Sequence, residues 1–219
     1  MVVAASLHGG TTRAATSLYR YDERLSRIAR ETLWQAASEG TGIKRAKVLS
    51  VGVRCYRDRD AFEETFQGLT GLPARRVIAY YAGGRDMHLR GATCANVHRF
   101  FRGRNTVVTA GAYAILLHEA LHRQGVRNER LTTCFANESV RWGTRWFGGS
   151  EAKSLRARNR AFTYTRLYAP RSYRMGRPDC LALARRKEWV EFARDARAGR
   201  LRSVDSLELG PQRGHSSLR

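Results

Sequence analysis

Lysine is scarce in this chain of 219 residues: only four of its 40 basic side chains are lysine, and the rest are arginine. Proline is scarce too, at four residues, while 42% of the chain is hydrophobic. That balance excludes a proline-rich disordered chain and suffices for a globular core. Long apolar runs are missing. The longest covers about 110–117, far short of the ~20 residues of a membrane-spanning helix. The N-terminus has no basic segment followed by an apolar one. No secretory signal is therefore expected, and the chain reads as cytoplasmic. No Cys-x-x-Cys occurs, which argues against a zinc ribbon or a thioredoxin-type site. The four cysteines, Cys55, Cys94, Cys134 and Cys180, are consistent with two disulfides or with four buried thiols.

Acidic residues are in the minority, 19 against 40, for a net charge of +21. Such an excess suggests polyanionic partners, nucleic acid first. Its distribution lowers that suggestion. Residues 1–150 carry +11 and residues 151–219 carry +10, without a basic tail. No helix-turn-helix, ribonucleoprotein or zinc-finger signature accompanies the charge, so nucleic acid has no motif behind it. Arginine spread over solvated faces accounts for the pattern equally well.

Periodicity and turn residues divide the chain as follows. Residues 1–17 read as a mobile leader, 18–202 as one domain and 203–219 as a disordered tail. Helices are expected at 19–37, 58–67, 93–101, 106–124, 128–147, 150–168 and 181–200, and strands at 47–56, 76–81 and 87–90. Residues 82–86 read as a hairpin turn. About three short strands among several helices make an α+β fold.

One motif carries chemistry. His118-Glu119-Ala120-Leu121-His122 is an HExxH sequence late on the apolar helix at 106–124. Residues four apart on a helix lie about 40° apart and one turn up, so both imidazoles can reach one metal ion. Glu119 stands beside them, where a carboxylate can polarise a water. With six histidines and 12 glutamates, random placement would give on the order of 0.01 matches. A third ligand must come from the next helix, where Asn128, Glu129, Cys134 and Glu138 are available. Zinc accepts carboxylate, imidazole and thiolate, and an Asn amide poorly. Glu129 shares its face with Thr132, Thr133, Ala136, Val140 and Gly143, small enough for close approach to the His-bearing helix. We take Glu129 as the ligand. Glu138 faces the other way and reads as a partnered structural carboxylate. The stripe of Leu131, Cys134, Phe135, Trp142 and Trp146 reads as core. His8, His98 and His215 have no partner spacing and read as incidental.

HEALHRQGVRNE followed by LTTCFANE resembles the zincin metallopeptidase superfamily. The HExxHxxG opening is similar to the metzincins, whose third-ligand position falls on Asn128 here. The Glu129…Phe135-Ala136 pattern is similar to ImmA/IrrE-type peptidases and to a group of uncharacterised bacterial zincin-like proteins. The resemblance implies a minimal zincin-like fold, with an active-site helix beside a small sheet. It implies Zn²⁺ on His118, His122 and Glu129, with Glu119 as general base in hydrolysis of a peptide or protein substrate. It also implies the pairings Cys55–Cys94 and Cys134–Cys180. For the oxyanion-stabilising group the candidates are His88 and Tyr173. A metal-binding scaffold without activity and an arginine-rich nucleic-acid-binding protein are the rival readings.

Overall fold

The computed structural model describes residues 18–38, 50–74, 77–174, 176 and 178–180. The expected leader, the tail and the helix at 181–200 lie outside the described residues. The chain is α+β. In order it forms β1 (Tyr19–Tyr21), α1 (Glu23–Ser38), β2 (Gly52–Tyr56), α2 (Arg59–Thr70), β3 (Ala79–Tyr81), β4 (Asp86–Arg90), α3 (Gly91–Phe101), α4 (Val107–Arg123), α5 (Glu129–Trp146) and α6 (Glu151–Tyr168). A single 3-10 turn follows at Arg171–Tyr173. No helix among the described residues is long and apolar enough to cross a membrane.

Among the described residues four strands form the sheet, against an expectation of about three. The order is β1-β2-β4-β3, with β2 and β4 parallel and both edge strands antiparallel to their neighbours. The unexpected strand is β1, which falls inside the helix expected at 19–37. The helix starts later because Asp22 breaks in: its Oδ1 accepts from Leu25 N at 3.0 Å, and capping fixes the first turn there. Tyr19 and Tyr21 then continue as a strand, paired with Tyr56 and Arg54.

The sheet separates two apolar clusters. Val53, Met87 and Leu89 face the helices and join the main core with Leu25, Leu116 and Leu131. Tyr56 and Tyr80 face the other way and meet Phe62 and Phe66 of α2. The helical side is held by caps that the sequence signals well. Thr106 and Thr109 cap α4 reciprocally, Asn128 Oδ1 accepts from Arg130 N and Leu131 N of α5, and Ser150 caps α6. Cys55–Cys94 ties β2 to α3, and Cys134–Cys180 ties α5 to the chain beyond α6. Both are the pairings that the resemblance implies.

Close approach of the helices rests on two glycines. A Cβ at Gly111 would overlap the Tyr164 ring, so the approach of α4 to α6 at that point requires a residue without a side chain. A Cβ at Gly143 would overlap the Tyr113 hydroxyl and Thr32, whose own hydroxyls are hydrogen-bonded to each other. We expect Gly143→Ala to cost about 1–3 kcal/mol, the range for forcing atoms into a filled core. Urea unfolding measures it, and an unchanged midpoint would contradict this account of the α1–α4–α5 junction.

Candidate metal centre

The site is a hairpin of two helices, of local origin. α4 is apolar on nearly every side, so its last turn carries His118, Glu119 and Leu121 into the interior. The helix stops at Gly125, whose φ of 95° reverses the chain. Gly125 N donates to His122 O at 2.9 Å and Val126 N to Leu121 O at 3.1 Å. Three residues later Asn128 caps α5. Glu129 thus opens α5 against the end of α4.

His118, His122 and Glu129 converge. Glu129 Oε2 lies 2.9 Å from His118 Nε2 and 3.5 Å from His122 Nε2. The two Nε2 atoms are 3.0 Å apart. Donors around a tetrahedral zinc with bonds near 2.0–2.1 Å stand roughly 3.3 Å from one another, so the triangle has the size of such a face. It is the one group of three or more possible metal ligands among the described residues, and it can hold a metal ion.

Outer contacts orient the ligands. His122 Nδ1 lies 2.6 Å from the Val126 carbonyl, which can only accept, so Nδ1 carries the proton. A neutral His122 therefore turns an Nε2 lone pair toward the cluster. Thr133 Oγ1 lies 3.2 Å from His118 Nδ1 and can serve His118 likewise. Neither partner is legible in the sequence as such. Thr133 is recognisable there only as a small residue on the Glu129 face, and a backbone carbonyl has no sequence signal.

Charge in the cluster follows from burial and proximity. Burial alone would raise the Glu129 carboxyl, but hydrogen bonds and charge from His118 and His122 outweigh it and hold it at about 2. Burial disfavours the charged form of His122. The hydrogen bond to Glu129, the charge of Glu119 and the Val126 carbonyl win, and its pKa is raised above the ordinary imidazole value. Glu119 is buried, and that burial raises its carboxyl, with Glu129 adding and the two imidazoles opposing. A carboxyl shifted upward toward neutrality is suited to accept and return a proton.

A pH dependence follows. A metal must displace the proton that raised basicity keeps on His122, while Glu129 is already ionised. Affinity for a divalent metal should therefore fall as pH drops through the His122 range, by up to about tenfold per unit. Calorimetric titration in buffers of different ionisation enthalpy would register the released proton. Metal uptake without proton release near neutral pH would contradict it.

The other sequence candidates separate cleanly. Tyr173 belongs to the site: its ring stacks on His118 at 5.6 Å between centroids, near enough to Glu129 and Glu119 to feel their charge. Burial, then the charges of Glu129 and Glu119, push the phenol up to about 12, so it keeps its proton at neutral pH. His88 does not belong. It lies on the α2 face of the sheet, stacked against Tyr56 and Tyr80, with Nδ1 2.7 Å from the Tyr56 hydroxyl. Burial lowers its pKa to about 4. Asn128 is the α5 cap, and Cys134 is bonded to Cys180. Glu138 is buried with Arg158 Nη1 3.6 Å from its Oε2, a structural carboxylate as expected. His98 is not incidental: its Nε2 meets Asp22 Oδ2 at 2.6 Å and so joins α3 to the cap of α1. Trp146 departs from the core reading. It is 46% exposed, its ring edge-on to Trp34.

Comparison with known proteins adds no relative: no family model, no curated protein and no solved structure matches the chain.

Proposed function

We propose that this protein is a zinc-dependent metallopeptidase that hydrolyses peptide bonds. The observation that carries the reading is the convergence of His118 Nε2, His122 Nε2 and Glu129 Oε2 next to a buried carboxylate, Glu119. Two imidazoles and one carboxylate form a donor set suited to zinc, and three protein ligands are what a catalytic site uses. Bound there, zinc would supply Lewis acidity, acidifying water and polarising a carbonyl.

The chain's own residues supply the rest. Glu119 accepts the proton of the attacking water at its carboxylate and returns it to the departing amine. The Tyr173 phenol, protonated at neutral pH beside Glu129, is positioned to donate to the developing oxyanion. Val126 and Thr133 keep the imidazoles turned inward. The location belongs to this reading as well. The sequence suggests the cytoplasm, but two disulfides favour an oxidising compartment.

The test is metal content together with turnover. Protein prepared without chelator should contain about one zinc per chain and cleave members of a broad peptide library. Removal of zinc should stop cleavage, and its return should restore it. Zinc-free protein at that stage, or loaded protein inert toward the whole library, would refute the proposal.

A further inference from the structure

Charge around the metal centre is unusually one-sided. From residue 87 to residue 150 the chain has nine arginines and three acids; Arg90 is paired with Glu63, and Arg141 and Arg145 with Glu151. All three acids are committed. Glu129 bonds to His118, Glu119 is buried beside the imidazoles, and Glu138 is buried with Arg158. The segment after α6 adds Arg171 and Arg174 and no acid before Asp179. The acids of α2 cannot offset this excess locally, because α2 covers the opposite face of the sheet. One of them, Glu63, is moreover held by Arg59 and Arg90.

Arginine also follows three residues of the site in sequence. Arg123 comes after His122, Arg130 after Glu129, and Arg174 after Tyr173. Arg127 sits on the turn whose Val126 carbonyl holds His122. Arg130 Nε donates to the Arg174 carbonyl at 3.1 Å, which places that guanidinium against the Tyr173 segment. No carboxylate among the described residues forms an ion pair with Arg123, Arg127, Arg130, Arg171 or Arg174. Unneutralised guanidiniums around a site focus a positive field on whatever enters. They also present paired donors matched to carboxylates.

Resting on the zinc-peptidase reading, we propose that the substrate is an acidic peptide, with Asp or Glu side chains flanking the bond to be cut. The committed acids leave nothing in the centre to pair with a basic peptide. An acidic one meets Arg130 and Arg174 beside the Tyr173 ring, in a positive field to which Arg127 and Arg171 contribute.

The experiment separates binding from turnover. Fluorescent peptides of one length, carrying glutamate, glutamine or lysine at the same flanking positions, are titrated into zinc-loaded E119Q protein, with anisotropy as readout. The glutamate peptide should bind about tenfold or more tighter than the glutamine peptide at about 20 mM salt, and most of that advantage should vanish at about 500 mM. Arg127→Glu combined with Arg171→Glu alters two exposed side chains that bond to no described residue. The pair should remove most of the preference and leave affinity for the glutamine peptide unchanged. Equal affinity for the glutamate and glutamine peptides, a preference indifferent to salt, or one that survives the charge reversals would overturn the proposal. Tighter binding of an oligonucleotide of equal charge would also overturn it, in favour of nucleic acid. Cleavage by the wild-type protein is read separately. Salt-sensitive selection of the acidic peptide without any cleavage supports the acidic-peptide site and refutes the peptidase reading alone.

Discussion

Replacing Glu119 with glutamine is expected to leave zinc bound and to lower peptide hydrolysis by about 10²–10⁴-fold, the range attributed to a positioned general base. The two halves of that outcome have different causes. A metal would be held by His118, His122 and Glu129, whose contacts to one another and to Val126 and Thr133 do not pass through Glu119. The proposed proton transfers would depend on it. A glutamine amide fills the same space and cannot accept a proton. Burial raises the Glu119 carboxyl, so the ionised form is the one that the fold disfavours. Sign matters for stability: a carboxyl raised on folding costs stability above its unfolded pKa, so E119Q should melt no lower than the parent near neutral pH. Zinc content, melting temperature and kcat measured on one preparation decide the matter. Parental turnover in E119Q would assign the proton transfers elsewhere.

The second large effect concerns Cys134–Cys180. Removing it as Cys134→Ser with Cys180→Ser should cost roughly 3–4 kcal/mol, the expectation for a closed loop of this length. It should also slow catalysis. The segment that this disulfide anchors carries Tyr173, and α5 holds it again through Arg130 Nε and the Arg174 carbonyl. With the anchor gone, the phenol loses its fixed place over His118, and a rate loss on the order of 10²-fold is expected, comparable with loss of an oxyanion donor. Tyr173→Phe should reproduce the rate loss without the stability loss. The control is Cys55→Ser with Cys94→Ser, which unties β2 from α3 and should lower stability with little change in kcat. Equal rate losses for the two disulfides would sink the positioning role of the first.

Much of the site is legible in the sequence because its logic is local. Two histidines four apart need only a helix, and the helix is announced by Thr106 and closed by Gly125. Glu129 follows from helical angles and from the ligand chemistry of zinc. Tyr173 is a different case. It lies 44 residues beyond Glu129 and reaches the site through the disulfide and the returning chain, neither of which periodicity encodes. His88 shows the converse. Nothing in the order of β4 says which sheet face a strand residue will take, and that choice sends His88 to α2 while Met87 and Leu89 go to the helices. β1 is missed for a related reason. Leu18, Leu25 and Ile28 fit a helical repeat, but the strand is decided by its pairing with Tyr56 and Arg54, far along the chain. Trp146 fits the core stripe of α5 by angle yet is exposed, because helical angle fixes a residue's direction and not what packs against it.

The turn at Gly125 has a consequence for assembly. His118 and Glu129 are separated by 11 residues. The parallel pairing of Gly52 with Asp86 closes a loop about three times as long, costing about 1 kcal/mol more in chain entropy by logarithmic scaling. Contacts of short range form soonest, and parallel strands are slow to find each other. The ligand-bearing hairpin therefore has a cheaper route to its native arrangement than the parallel strand pair. A metal arriving during folding would meet three ligands already in reach, and the sheet would close later onto a corner that is set.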